Sequence, residues 1–196
     1  MRKLKLQVQM SIDGYVGGPN GELDWMVWDW DDELKKYTSE LTEPVDTILL
    51  GRKMTDGFVK HWSTVAANPD DPDQAWGKKF TDTQKIVFTK TLERSEWPNT
   101  ELAKGELVDE VNRLKDQDGG DIIVYGGAEF VTSLIKAGLI DEYYLFVNPT
   151  ALGEGLTIFN GLEKPRELML VSSTPYDCGI VVQRYQPKHA GRSQTA

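Results

Sequence analysis

Asp121-Ile122-Ile123-Val124-Tyr125-Gly126-Gly127-Ala128-Glu129-Phe130-Val131-Thr132-Ser133-Leu134-Ile135-Lys136 is the stretch on which the fold turns. A short apolar run, Ile122 to Tyr125, meets two glycines and then a ten-residue amphipathic pattern. Phe130, Val131, Leu134 and Ile135 fall on one helical face, and Gly138 follows as a left-handed C-cap before a second strand at Glu142 to Val147. This spacing predicts a strand, a glycine turn, a helix and a strand. Such a unit aims the helix N-terminus at the end of a strand, where free N–H groups and the positive end of the helix dipole attract phosphate and glycines let a ligand approach the backbone. A nucleotide cofactor is one reading of the junction, and a tight packing turn is the other.

The same grammar recurs along the chain. Residues 3–11 alternate polar and apolar as a first strand, and Gly14 to Gly21 form a glycine-rich mobile loop, followed by Trp25, Trp28 and Trp30. Asp31 or Asp32 caps a helix with Leu34, Tyr37 and Leu41 on its apolar face, ended by Pro44. Val45 to Leu50 is apolar enough for a strand buried on both faces. It delivers Gly51-Arg52-Lys53-Met54-Thr55 to the start of a short helix, which serves either as an anion site or as a simple cap with a solvated Arg-Lys pair. Ser63 to Asp73 reads as an acidic surface loop. Lys85 to Phe88 makes a third strand ending in Thr89-Lys90-Thr91, and a short strand follows near Thr100 to Leu102. Leu107, Val108, Val111 and Leu114 define a helix closed by Asp118-Gly119-Gly120. Leu168 to Thr174 and Ile180 to Tyr185 form an antiparallel hairpin at a sheet edge, and residues 188–196 read as a disordered tail. The alternation predicts an α/β fold of three layers over residues 1–187: a mostly parallel central sheet, helices on both faces, and an antiparallel C-terminal hairpin.

Composition narrows the function. The 196 residues suit one domain, and Lys plus Arg number 22 against 31 Asp plus Glu, with the basic residues scattered. A formal charge of −9 without a basic patch argues against nucleic acid as a partner. Cys178 stands alone, so no internal disulfide forms, and the chain has no CxxC pattern to hold a metal. A reducing cytoplasm is the expected compartment. The first ten residues alternate where a signal peptide would be continuously apolar, and no apolar run approaches the ~20 residues that span a bilayer.

Five motifs occur in one order: Ser11-Ile12-Asp13-Gly14-Tyr15, Val45-Asp46-Thr47-Ile48-Leu49-Leu50-Gly51-Arg52-Lys53, Tyr125-Gly126-Gly127-Ala128, Leu139-Ile140-Asp141-Glu142, and Pro149-Thr150-Ala151-Leu152-Gly153-Glu154-Gly155. That order resembles the dihydrofolate reductase fold. It is more similar still to the reductase domain of bifunctional riboflavin-biosynthesis deaminase-reductases, over roughly Lys3 to Gln186. The zinc signature of their deaminase half, His-x-Glu with Pro-Cys-x-x-Cys, does not occur in the chain.

The resemblance implies NADPH lying across the carboxyl ends of the strands. Gly51, Arg52, Lys53 and Thr55 match positions that hold cofactor phosphates. Thr89 and Lys90 match the place of the adenosine 2′-phosphate, where a lysine favours NADPH over NADH. Gly126, Gly127, Ala128 and Glu129 match the pyrophosphate turn, with a cis peptide expected between the two glycines. It further implies a small-molecule substrate, no membrane partner and a homodimer. On the substrate side, hydride transfer needs a positioned carbon, exclusion of water and a proton source. The Gly14 to Gly21 loop is the candidate lid, Asp13 and Asp24 are the candidate catalytic acids, and Ser11, Trp25 and Trp30 are candidate substrate contacts. The chain departs from dihydrofolate reductase where that enzyme has a buried substrate-binding acid: Trp30, flanked by Asp29 and Asp31, stands there, and Phe146 replaces a small polar residue opposite. The expected activity is reduction of a ribosylaminopyrimidine. A pterin or dihydrofolate-like reductase and a non-catalytic nucleotide-binding paralogue are the alternatives.

Overall fold

The computed structural model describes residues 1–188, so the tail expected at 188–196 lies, past Lys188, outside the described residues. One eight-stranded sheet organises them: β1 (Leu4–Ser11), β2 (Val45–Gly51), β3 (Gln84–Phe88), β4 (Thr100–Ala103), β5 (Asp121–Val124), β6 (Glu142–Asn148), β7 (Leu168–Pro175) and β8 (Val181–Pro187). Its order is β4-β3-β2-β5-β1-β6-β8-β7. The first six strands in that order run parallel, and β8 and β7 are added antiparallel. This is the mostly parallel sheet with a C-terminal hairpin that the alternation of elements predicts.

Five helices cover the faces: α1 (Asp32–Thr42), α2 (Arg52–Ala67), α3 (Gln74–Asp82), α4 (Leu107–Lys115) and α5 (Ala128–Lys136). Alternate residues of a strand point to opposite faces, and neighbours in β5 show this division. Ile122 joins Leu4, Leu6, Val8 and the α4–α5 residues Val111, Leu114, Val131, Leu134 and Ile135. Ile123 joins Ile48, Leu50 and the α2–α3 aromatics Phe58 and Phe80. On that second face Tyr144 and Phe146 of β6 pack under Leu34 and Leu41 of α1.

Two local expectations need correction. Ser63 to Asp73 is not all loop, because α2 continues to Ala67. An unforeseen helix, α3, then begins at Gln74. Its aromatic residues explain both changes. Trp62 of α2 lies 4.3 Å from Phe80 of α3 between ring centroids, and Phe58 meets Phe80 at 5.7 Å. Gly77, a helix-weakening residue in isolation, is required for this packing, since a Cβ there would meet the Ala66 Cα at 2.9 Å.

The alternation of β1 has an unexpected setting. Alternation of this kind usually marks a strand with one solvated face, but β1 is central in the sheet, and Lys5 and Gln7 are buried at 6% and 7% exposure. Lys5 donates to the Leu41 carbonyl at 3.1 Å and pairs with Asp121 at 2.8 Å. A strand in the middle of the sheet therefore presents polar groups between the α1 layer over β6 and the α2 layer over β2.

Candidate functional site

Parallel pairing brings the carboxyl ends of β1 to β6 to one edge, the usual binding crevice of open α/β sheets. Two helices start there from glycine. Gly51 is the N-cap of α2 and Gly127 the N-cap of α5, and neither helix receives a side-chain cap, whereas Asp31 caps α1 by accepting from Leu34 N at 2.8 Å. Helices α3 and α4 also lack a side-chain cap, but α2 and α5 start side by side. A Cβ on Gly51 would sit 2.9 Å from Phe130 Cβ, Met54 lies against Gly126 and Gly127, and Lys53 pairs with Glu129 at 2.8 Å. Two sets of first-turn N–H groups without side-chain caps thus converge, an arrangement that favours an anion.

The bond between Gly126 and Gly127 is trans, as is every peptide among the described residues, so the expected cis bond is corrected. The chain turns instead through glycine torsions. Gly127 has φ 80° and ψ 90°, a conformation costly for other residues.

The basic residues surround this cradle. Gly51 pairs with Phe88 across β2 and β3, so Thr89 and Lys90 leave the sheet beside Arg52. Lys90 pairs with Glu106 at 3.0 Å, and both are exposed. Arg52 lies over the Trp97 ring at 5.2 Å and pairs with Asp56 at 3.0 Å. Asp56 also accepts from the Trp97 indole at 3.0 Å, and the Arg52 hydrogen bond holds its carboxyl below the usual range. Exposed pairs such as Lys53–Glu129 and Lys90–Glu106 contribute only about 0–1 kcal/mol, so a phosphate can displace the carboxylates. Two threonines are engaged locally: Thr55 is fully buried with its hydroxyl on the Gly51 carbonyl, and Thr89 accepts from the backbone of Thr91 and Leu92. Ala128 and Glu129 form the first turn of α5.

Just past the end of β1, Asp13 closes a latch. Its carboxylate accepts from Leu152 N at 3.0 Å, Gly153 N at 2.7 Å and the Ser11 hydroxyl at 2.6 Å. The Ser11 bond first, then the two backbone donors, lowers its carboxyl to about 2. These bonds form an anchor: Asp13 ties the end of β1 to residues 152–153. The candidate lid is tied to the same segment, with Val16 N donating to Leu156 O at 2.7 Å and Leu156 N to Gly17 O at 2.9 Å. Ser11 is buried and its hydroxyl also accepts from Tyr15 N. Asp24 is exposed in the following turn.

Trp25 is half-buried and donates its indole N–H to the Glu22 carbonyl at 2.9 Å. Trp30 stacks on Phe146 at 5.7 Å, so the two departures from the dihydrofolate reductase pattern touch one another. Of the two acids that flank Trp30 in sequence, Asp31 spends one oxygen on Leu34 N and the other on Cys178 N at 3.0 Å, and Asp29 is exposed. Sequence reasoning missed Asn148, which is fully buried at the end of β6 and accepts from Val27 N at 2.8 Å. It also missed Gln7, Gln9 and Trp97. The polar face of β1 was the available signal for the glutamines. Trp97 carries none, because its meeting with Arg52 depends on strand pairing.

The sequence model of the RibD C-terminal domain matches residues 2–182. The chain belongs to this family. It is 34% identical over 184 residues to the uncharacterized protein YyaP of Bacillus subtilis (strain 168), covering 92% of each chain. Among solved structures, a proposed riboflavin biosynthesis protein of Shewanella sp. PV-4 aligns with a TM-score of 0.73 at 23% identity, over 96% of this chain and all of that one. Dihydrofolate reductase from Enterococcus faecalis, solved with NADP(H) and RAB-propyl, aligns with a TM-score of 0.60 at 18% identity, over 95% and 97% of the two chains. The dihydrofolate reductase-like fold expected from the motif order is the fold observed. No helix among the described residues is long and apolar enough to cross a membrane, and no group of His, Cys, Asp and Glu among them is placed to hold a metal ion.

Proposed function

We propose that the chain is an NADPH-dependent reductase of the riboflavin-biosynthesis type, acting on a ribosylaminopyrimidine or similar heterocycle. The observation that carries this reading is the pair of adjacent, glycine-capped and otherwise uncapped helix N-termini of α2 and α5, bordered by Arg52, Lys53 and Lys90. Those N–H groups fit a pyrophosphate, and the lysine beyond β3 fits a 2′-phosphate. The nicotinamide supplies the hydride when the cofactor is bound. The protein's part is to hold the reactants together and keep water out, for which the latched Gly14 to Gly21 loop and the Trp30–Phe146 wall are placed. The stacking of Trp30 on Phe146, where dihydrofolate reductase has a buried acid facing a small polar residue, favours this reading over a pterin reductase. Measuring NADPH consumption with a panel of phosphoribosylaminopyrimidines and dihydropterins tests the proposal. Turnover of a dihydropterin alone, or of nothing in the panel, would contradict it.

Gly127→Ala separates a cofactor cradle from a packing turn. A Cβ there has room, with Phe130 Cβ at 3.6 Å and Met54 Cβ at 4.0 Å, so the penalty is torsional. Holding alanine at positive φ costs about 1–2 kcal/mol, and the melting temperature should fall by no more than roughly 2–8 °C. If the α5 N–H groups instead rotate to relieve this strain, NADPH affinity should fall at least about tenfold. Unchanged affinity in a variant whose melting temperature is also unchanged, so that the strain has been relieved without loss of cofactor, would make the junction a packing turn.

The assembly proposed is a homodimer. Edge strand β7 leaves Met169, Leu170 and Val171 at 53%, 54% and 42% exposure. An apolar edge with free backbone groups invites pairing unless it is covered. Sedimentation at micromolar concentration is expected to give twice the 22.1 kDa chain mass, and Leu170→Lys to give the single chain.

A further inference from the structure

The polar face of β1 carries a hydrogen-bond relay whose direction is dictated at one end. The Val27 N–H can only donate, and its acceptor is Asn148 Oδ1 at 2.8 Å. The Asn148 amide is thereby oriented, and its Nδ2 donates to Gln9 Oε1 and to the Phe146 carbonyl, each at 3.2 Å. Gln9 consequently spends its oxygen inside the protein. Its NH2 group has no partner among the described residues and faces away from Asn148.

Gln7 lies two residues earlier on the same face of β1. It is 7% exposed, and its amide makes no hydrogen bond to the described residues. Arg184 Nε is the only side-chain polar atom among them that is both sealed from solvent and unpartnered, so the Gln7 amide keeps some access to solvent. Gln9 is only half-buried, so its unpartnered NH2 group can be reached by a ligand. Both glutamines adjoin aromatic walls: Gln7 pairs with Tyr144 and Gln9 with Phe146, on which Trp30 stacks.

We infer that Gln9, oriented by Asn148, is a specificity-determining residue that presents an NH2 donor, with Gln7 beside it, to a carbonyl on the edge of a neutral lactam-type heterocycle. Asn148 is the positioning residue. The inference rests on the proposed reductase reading only in placing the substrate over the carboxyl ends of the strands. It adds that this face selects a ring edge rich in acceptors, and it discriminates against one that offers amino donors because two donors would then face each other.

Calorimetric titration with 5,6-diaminouracil and with 2,4-diaminopyrimidine, alongside a separate titration with NADPH, tests this. The protein is expected to prefer the uracil by at least about tenfold, the worth of one well-placed hydrogen bond. Gln9→Leu should abolish the preference. Asn148→Asp should reverse it, because the new carboxylate accepts from Val27 and from the Gln9 amide, turning the Gln9 oxygen outward. Gln9→Glu should reverse it as well, without placing a charge at the buried Asn148 position, and serves if Asn148→Asp does not fold. A wild type with no preference, or a preference retained in Gln9→Leu and Gln9→Glu, overturns the inference. If NADPH binds normally in that case, the reductase reading survives. A Gln9-dependent preference in a protein that fails to bind NADPH would support the inference and overturn the reductase reading.

Discussion

Glu142→Gln is expected to lower the melting temperature by roughly 6–12 °C, corresponding to about 3 kcal/mol. Glu142 is 2% exposed at the start of β6 and accepts from Lys3 at 2.7 Å, Arg184 at 3.1 Å, the Tyr144 hydroxyl at 2.5 Å and Gln186 at 3.3 Å. Removing one member of a buried ion pair costs about 3–5 kcal/mol, because its partner keeps a charge with nothing to meet it. The lower end applies, since Lys3 and Arg184 are 54% and 31% exposed at the side chain and can regain water. Burial alone would raise the Glu142 carboxyl, but the Lys3 and Tyr144 hydrogen bonds and the Arg184 charge outweigh it and lower it to about 2. A lowered folded-state value means that the contribution is complete above the unfolded value of 4.5 and disappears as pH falls through about 2. Thermal melts of both proteins from neutral pH downward should therefore converge below the unfolded value. A constant gap down to pH 2 would show that the loss is one of packing.

The second large effect is on cofactor choice: wild type should bind NADPH at least about tenfold more tightly than NADH, and Lys90→Ala should remove most of that difference. A charge-assisted contact to a 2′-phosphate contributes about 1.5–3 kcal/mol. The Lys90–Glu106 pair that must open costs only about 0–1 kcal/mol, because both side chains are exposed, at 73% and 77%. The balance remains favourable by roughly the amount that gives tenfold. Tryptophan fluorescence is a suitable readout, with Trp97 stacked against Arg52 beside the same strand ends. Equal affinities for the two cofactors, or a preference that survives in Lys90→Ala, would remove Lys90 from the site.

Periodicity alone determined the strands, the helix α5 and the placement of glycines at strand ends, because side-chain spacing within ten residues reflects which face an element buries. The polar alternation of β1, Asp31 as a cap and Gly138 at φ 71° were all legible in this local way. Asp13 was legible as a candidate acid beside the loop, but its anchoring was not, since its partners, Leu152 and Gly153, lie some 140 residues away in sequence. The same distance in sequence hid the rest. Lys53 meets Glu129 only because β2 and β5 are neighbours, α3 is helical because Phe80 reaches Trp62, and Asn148 reaches Gln9 only through the pairing of β6 with β1. Local spacing specifies which element forms. Strand order specifies which elements touch, and the two uncapped helix ends and the amide relay exist only through those contacts.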